Sequence, residues 1–333
     1  MKAVLLIGGR GTRLRPFTLQ TPKPLLPLVN KPFLSYQFEV LRGHVDEVLL
    51  CAADPAPFRR ALGARACGLK LTYLCEERPL GTGGAVKNAE GRLAGQACFL
   101  VLNGDVLNRL DVRALVATHR KARARVTIAL TRVADPTMYG LVRAGRDGTI
   151  REFIEKPSAE ETDATTINAG AYVFDRSVLA MLKPGPSSLE RELFPSLLDG
   201  GGLRAHRSEG YWIDIGTIER YLDAHLDLLG GRAGFALPKT LRSLDGGRVA
   251  VGRGALIHPT ARFSGNVSVG ARCRIAAGAA LRDCVLLEET SLGAGSRVER
   301  CVVGPRCLVG ERAALLRSTA VAGGSRIKPY SQL

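Results

Sequence analysis

Two aspartates stand where apolar runs stop. Asp105 follows the run Cys98 to Leu102, and Asp214 follows Tyr211-Trp212-Ile213. Carboxylates so placed suit Mg2+, a hard octahedral ion that takes one or two carboxylates and completes its shell with phosphate oxygens and water. Taken singly, each reads first as a turn or helix-cap residue. A glycine turn, Gly8-Gly9-Arg10-Gly11-Thr12-Arg13-Leu14-Arg15-Pro16, follows the run Ala3 to Ile7. Without Cβ atoms, Gly8, Gly9 and Gly11 let backbone N–H groups approach a phosphate chain, and Arg13 or Arg15 adds charge. A P-loop would end in Gly-Lys-Ser/Thr and a dinucleotide fingerprint would place a third glycine at a helix start; Leu14 and Pro16 fit neither. Lys23 lies between two prolines, on backbone stiff enough to aim its ammonium.

The elements that must position these groups fall into two halves. From residue 1 to 229, β-rich runs (Ala3 to Ile7, Glu47 to Ala52, Lys70 to Cys75, Cys98 to Leu102, Val126 to Arg132) alternate with helical patterns such as Phe33 to Arg42 and Val112 to Ala122. This alternation predicts an α/β layer with a Rossmann-like, mostly parallel sheet, whose ligands bind beyond the carboxyl ends of the strands. Residues 230–248, with several glycines and Pro238, read as a linker. From 249 to 333 an apolar residue recurs every six positions: Val251, Ile257, Phe263, Val269, Ile275, Leu281. After a five-residue step come Leu286, Leu292 and Val298, and after another Val303, Val309, Leu315, Val321 and Ile327. Hexapeptide repeats predict a left-handed parallel β-helix of roughly four coils. The five-residue steps are either corner adjustments or a change of register.

Composition narrows the partners. The formal charge is +16, and residues 231–333 hold 16 Lys+Arg against 6 Asp+Glu, so the last third carries most of the excess. These charges are mostly single arginines among small apolar residues, and that third has only Phe235, Phe263 and Tyr330 as aromatics. The pattern fits a solvated face and lacks the stacking platforms of a nucleic-acid binder. The eight cysteines show no metal or disulfide spacing and read as buried reduced thiols. No apolar stretch reaches the roughly 18 residues of a membrane span, so a soluble cytoplasmic protein is expected.

The string Gly8 to Pro16, followed by Pro22-Lys23-Pro24-Leu25-Leu26-Pro27 and Asn30-Lys31-Pro32, resembles the sugar-1-phosphate nucleotidyltransferase family. More of that pattern follows in order: Glu76 with Pro79-Leu80-Gly81-Thr82-Gly83-Gly84, Asn103-Gly104-Asp105-Val106, Tyr139-Gly140, Glu155-Lys156-Pro157, Asn168-Ala169-Gly170, Glu190 to Pro195 and Trp212-Ile213-Asp214-Ile215-Gly216. The spelling is most like the branch that transfers a guanylyl group to mannose 1-phosphate. Gly104, where a Ser is common, and the pair Gly83-Gly84, where one Ala is common, depart from it.

The resemblance implies attack of a sugar 1-phosphate oxygen on the α-phosphorus of an NTP, best GTP with mannose 1-phosphate, giving GDP-mannose and pyrophosphate. It turns the carboxylates Asp105 and Asp214 into candidates for Mg2+. Gly8, Gly9, Gly11 and Thr12 would cradle the triphosphate, Lys23 would face the α-phosphate and Arg13 the departing pyrophosphate. Lys156 would hold the sugar phosphate, although a Glu-Lys neighbour pair by itself is an ordinary surface ion pair. Glu155 would accept from sugar hydroxyls, with Gly104, Tyr139, Gly140, Asn168 and Gly170 completing that pocket. Gly81 and Thr82 would lie against the base or ribose. Glu76 would read guanine, because an ionised carboxylate accepts from N1–H and N2–H2 together; a shift of one residue would make Glu77 the reader.

Other readings predict different facts. A thymidylyltransferase acting on glucose 1-phosphate would prefer dTTP. A non-catalytic regulatory subunit would lack the metal carboxylates and the cations, all of which are present. Acyl transfer by the β-helix would need a histidine base in the coils, where only His258 stands, near their start. Exposed β-helix faces associate readily, so a homo-oligomer is expected.

Overall fold

The computed structural model describes residues 1–9, 11–158, 165–236, 239–316 and 320–333. Arg10 of the glycine turn and Pro238 of the expected linker therefore lie outside the described residues. The chain divides into two compact units, Met1–Gly9 with Gln37–Trp212, and Arg10–Tyr36 with Ile213–Leu333. No helix among the described residues is long and apolar enough to cross a membrane.

The first unit is built on one ten-stranded sheet: β1 (Lys2–Leu6), β2 (Glu47–Ala52), β3 (Arg65–Ala66), β4 (Leu69–Cys75), β5 (Cys98–Asn103), β6 (Val126–Arg132), β7 (Gly140–Ala144), β8 (Ile150–Glu155), β9 (Thr166–Asp175) and β10 (Leu203–Arg207). Its centre runs β5-β1-β2-β4, with every neighbour parallel. All six residues of β2 are buried, and after Glu47 it reads as an unbroken apolar run, the mark of a strand covered on both faces. The five strands and two helices expected from sequence coincide with the observed ones to within a residue. The helix Val112–Ala122 shows why: Asp111 caps it by accepting from Ala114 N–H, and Val112, Leu115, Val116 and His119 form its buried stripe.

The strand order makes β1 a switch point, since the chain moves from it to β2 and β4 on one side and returns to β5 on the other. Loops leaving such a point open a crevice at the carboxyl ends of the strands. The remaining strands extend the sheet largely by antiparallel pairing. Strand β9 pairs antiparallel with β5, β6 and β7, and its register slips between Asn168 and Tyr172, where Gly170 takes φ +69°. The bulge lets one ten-residue strand serve β7 at its start and β5 at its end. Beneath it, Tyr172, Phe174, Phe99 and Phe194 form an aromatic cluster in the core.

In the second unit the hexapeptide positions become three columns. Val251, Val269, Leu286, Val303 and Val321 stack on one face, Ile257, Ile275, Leu292, Val309 and Ile327 on the second, and Phe263, Leu281, Val298 and Leu315 on the third. Adjacent coils are parallel, as a β-helix requires. Both five-residue steps fall at the same corner, between the third column and the first, and the stacking is unbroken across them. They are corner adjustments: Asp283 and Arg300 turn the chain there in left-handed conformation, at φ 44° and 48°.

Part of the expected linker is structured, because Leu241–Leu244 pairs antiparallel with Gly247–Val251, the first strand of the first face. Outward-pointing residues of that face, Ala250, Ser268, Val285 and Val302, are buried, and the helix Ile218–Gly230 packs on it, with Asn266 donating to the Leu226 carbonyl. The second face instead exposes Leu256 and Leu308. All eight cysteines are free thiols, five of them buried. Burial pushes the Cys273 thiol up to about 11, so it stays protonated and unreactive at neutral pH.

Candidate active site

Three loops of the first unit leave strands of the parallel centre at their carboxyl ends. After β1 comes Gly8-Gly9, after β4 Glu76, and after β5 Gly104-Asp105. Glu76 is buried, its carboxylate lies against Gly8, where an added Cβ would sit 3.4 Å from Oε2, and Oε2 accepts from Leu80 N–H at 3.3 Å. Burial raises its proton affinity above that of an ordinary glutamate, with the Leu80 bond opposing. Gly104 has no room for a side chain, since a Cβ would stand 2.4 Å from Ile7 Cγ2 and 2.8 Å from the Leu6 carbonyl. Asp105 beside it is half-buried.

Tyr139, Gly140, Glu155 and Lys156 come together across the β7–β8 hairpin. Gly140 pairs with Glu155, and Lys156 donates its N–H to the Tyr139 carbonyl at 3.0 Å. A Cβ on Gly140 would meet Phe153 at 2.7 Å and Glu155 Oε2 at 3.1 Å, so only glycine leaves Glu155 its position. Tyr139 packs edge-on against Trp212, whose indole N–H donates to Ala169 O. Asn168 accepts from Gly170 N–H and donates to Tyr172 Oη. Burial first, then the nearby Glu190 charge, raises the proton affinity of Glu155.

The Gly81-Thr82-Gly83-Gly84 string opens the helix Gly81–Asn88, and a second segment packs on it. Gly83 and Gly84 donate to the Ser187 carbonyl, and a Cβ on Gly81 would stand 2.5 Å from that oxygen. Thr82 Oγ1 donates to Glu190 Oε2 at 2.6 Å and accepts from Leu189 N–H at 2.9 Å. Close backbone approach between segments of the chain thus accounts for these glycines, and the Thr82 hydroxyl serves to latch the Glu190 turn.

In the second unit, Thr12 and Arg13 begin a short 3-10 turn (Thr12–Leu14) and are exposed, and Gly11, at φ +58°, packs on the Lys23 and Thr18 side chains. Lys23 is buried, with Nζ 3.4 Å from Asp214 Oδ1, while Arg220 Nη1 lies 3.6 Å from Oδ2. A Cβ on Gly216 would meet both Asp214 oxygens and Arg13 Nη2 within 3.1 Å, so Arg13 shares this cluster. Arg220 carries no signal in the sequence, and Glu190 stands in the family pattern without a role; nothing in their spacing marks the carboxylate or hydroxyl each one meets.

The loop carrying Lys23 is fixed from the helix Ile218–Gly230. Pro27–Leu28 pairs with Lys31–Pro32 around Val29 and Asn30, both at positive φ, 48° and 65°, as a type I′ hairpin turn needs. Valine resists that conformation. Its N–H donates to His225 Nδ1 at 3.3 Å, His225 Nε2 and Tyr221 Oη both bond to the Pro27 carbonyl, and Tyr36 Oη donates to Leu28 O. With Nδ1 accepting, the buried imidazole is neutral, and burial pushes its pKa down to about 3. The folded state therefore resists a proton that the unfolded chain takes near pH 6.5, so this contribution is whole above that pH and is lost as pH falls toward 3. Between pH 6 and 4, the slope of unfolding free energy against pH, from urea titrations followed by circular dichroism, should be smaller in His225→Gln by about 1.4 kcal/mol per pH unit. An unchanged slope would remove His225 as the cause.

The comparisons with known proteins agree along the chain. A nucleotidyl transferase family model matches residues 2–230, and a GMPPB C-terminal domain model matches residues 246–330. The chain is 38% identical over 304 residues to a mannose-1-phosphate guanylyltransferase of Mycobacterium tuberculosis, covering 90% of this chain and 83% of that protein. It is 35% identical to a mannose-1-phosphate guanyltransferase of Neurospora crassa, over 96% of this chain and 91% of the relative. With the catalytic subunit beta of the Danio rerio mannose-1-phosphate guanylyltransferase it shares 34%, over 93% and 88%. Among solved structures, HddC from Yersinia pseudotuberculosis superposes with a TM-score of 0.58 at 28% identity, covering 67% of this chain and 97% of that one.

Proposed function

The chain belongs to the nucleotidyl transferase family, and we propose that it transfers the guanylyl group of GTP to mannose 1-phosphate, releasing GDP-mannose and pyrophosphate. The observation that carries the choice of base is Glu76, a buried carboxylate lying against the first glycine of the phosphate turn at the carboxyl edge of the parallel sheet. The choice of sugar rests on the named activity of relatives that match nearly the whole chain.

A sugar phosphate with its second pKa near ~6 is already largely dianionic at pH 7, so the attacking oxygen needs no general base. The obstacle is holding two polyanions in line, which cations and positioning overcome. We assign Lys23 to the α-phosphate, Arg13 to the pyrophosphate, and Gly8, Gly9, Gly11 and Thr12 to the triphosphate backbone. Lys156 takes the sugar phosphate. Glu155 and Asn168 face the sugar hydroxyls, with Tyr139, Gly104, Gly140 and Gly170 lining the pocket. Gly81 and Thr82 support the base from the start of the helix Gly81–Asn88.

The family works with a divalent metal ion, and we assign Mg2+ to Asp105 and Asp214. The donor chemistry fits. Asp214 Oδ1 stands 3.4 Å from Lys23 Nζ and Oδ2 3.6 Å from Arg220 Nη1, and among the described residues no group of three or more His, Cys, Asp or Glu forms an all-protein cage. Mg2+ is bound in this way, through one or two carboxylates plus phosphates and water, and when bound it neutralises charge on the reacting phosphates. Pyrophosphate release with each of GTP, ATP, dTTP and UTP, against mannose 1-phosphate and glucose 1-phosphate, tests the proposal. The expected result is turnover with GTP and mannose 1-phosphate at least tenfold above every other pair, and a faster pair would replace this assignment.

A further inference from the structure

Gln37 is a buried polar residue on the helix α1 (Leu34–Leu41), among apolar neighbours in sequence. Its Nε2 donates to the Asn103 carbonyl and to the Val106 carbonyl, each at 2.8 Å. Both partners are carbonyls, which fixes the amide's orientation with NH2 toward them. They bracket Gly104-Asp105, so one side chain spans the mouth of the loop that carries Asp105. On the other side of that loop the Gly104 N–H donates to Leu6 O at 2.9 Å, and Ile7 leaves no space for a Cβ. The backbone beside Asp105 is thus held from two sides.

The Oε1 atom of Gln37 has no hydrogen-bond partner among the described residues, and neither has the buried Asn103 Oδ1. An unsatisfied buried acceptor is unfavourable, and an apolar side chain of similar volume would avoid it. What the amide supplies is two donors on one nitrogen at a reach that spans both carbonyls. We infer that Gln37 is a positioning residue for Asp105, holding the Asn103–Val106 turn so that the carboxylate is presented to the divalent ion. This rests on the assignment of Asp105 to that ion.

The test is Mn2+ binding to the full-length chain, read from the electron paramagnetic resonance signal of free Mn2+, together with the Mg2+ dependence of turnover. Gln37→Met keeps volume and removes both donors. Residues that orient a ligating carboxylate contribute roughly 10- to 100-fold to metal affinity. Gln37→Met should therefore weaken Mn2+ binding about tenfold and raise the Mg2+ concentration for half-maximal turnover similarly, while KM for both substrates at saturating Mg2+ stays within about twofold. A folded Gln37→Met chain with unchanged Mn2+ affinity overturns the inference, as does a loss that falls on substrate KM alone. If Gln37→Met does not fold, Gln37→Asn decides by the same readouts, since its shorter amide cannot reach both carbonyls and an unchanged Mn2+ affinity again overturns the inference. Asp105→Asn separates the two levels. Undiminished Mn2+ binding in that variant sinks the metal assignment and this inference with it, whereas loss there beside normal binding in Gln37→Met sinks the inference alone.

Discussion

Asp105→Asn and Asp214→Asn should each lower kcat by about 10²- to 10³-fold, the several kcal/mol of charge stabilisation a metal carboxylate supplies, at 1.36 kcal/mol per decade. The exchange keeps side-chain shape and an acceptor oxygen but removes the charge that binds a hard cation. The two variants should differ in stability. Asp214 lies between Lys23 and Arg220, and the Lys23 side chain is only 8% exposed, so neutralising Asp214 leaves an ammonium buried beside other cations. Breaking a buried pair in this way costs on the order of 3 kcal/mol. Urea unfolding of both variants beside single-turnover rates gives the contrast: both slow, and only Asp214→Asn clearly destabilised. Retained turnover in either variant would remove that residue from the metal pair.

How far these residues could be read without coordinates varies with the range of the interaction. The strands of the parallel centre were legible because burial on both faces demands unbroken apolar runs, as in the stretch from Val48 to Ala52. The β-helix was legible because each coil repeats the same demand at Val251, Val269 and Leu286, one position per face. What one sequence could not decide was whether the five-residue steps shift the register. That depends on Asp283 and Arg300 adopting left-handed conformations, which their residue types do not announce.

Positions with long-range partners were the least legible. Gln37 looks like an ordinary polar residue in a helix, and its two acceptors lie 66 and 69 residues away. Gly81 is expected to lie against the base or ribose, while its close contact, like those of Gly83 and Gly84 beside it, is with the Gly185 to Ser187 segment, a hundred residues on. Glycine marks a close approach but not what approaches. Strands β7 and β9, absent from the expected set, escaped for a related reason: β9 changes register at the bulge at Gly170, which a period-two pattern does not contain.

Glu76→Gln should cut kcat/KM for GTP by about 10²- to 10³-fold and reduce the preference for GTP over dTTP and UTP. Guanine offers N1–H and N2–H2 on one edge, and a carboxylate accepts both; a carboxamide accepts one and turns its own NH2 toward the other donor. Losing a charge-assisted bond of about 1.5 to 3 kcal/mol and leaving a buried donor unmatched gives that magnitude. Thymine and uracil pair an N–H donor with carbonyl acceptors, which the carboxamide matches. The bond from Leu80 N–H does not block the reader, because a carboxylate has about four lone-pair sites and that bond takes one of them. The pH dependence gives a second, independent check. Burial raises the Glu76 pKa, so its ionised form is lost, as pH falls, sooner than for an exposed glutamate. KM for GTP should therefore rise on acidification from a pH above the ordinary value near ~4.3. In Glu76→Gln, which has no proton to gain there, that rise should vanish. A pH-dependent KM that survives the substitution would assign the base reading to another residue, with Glu77 the first to test.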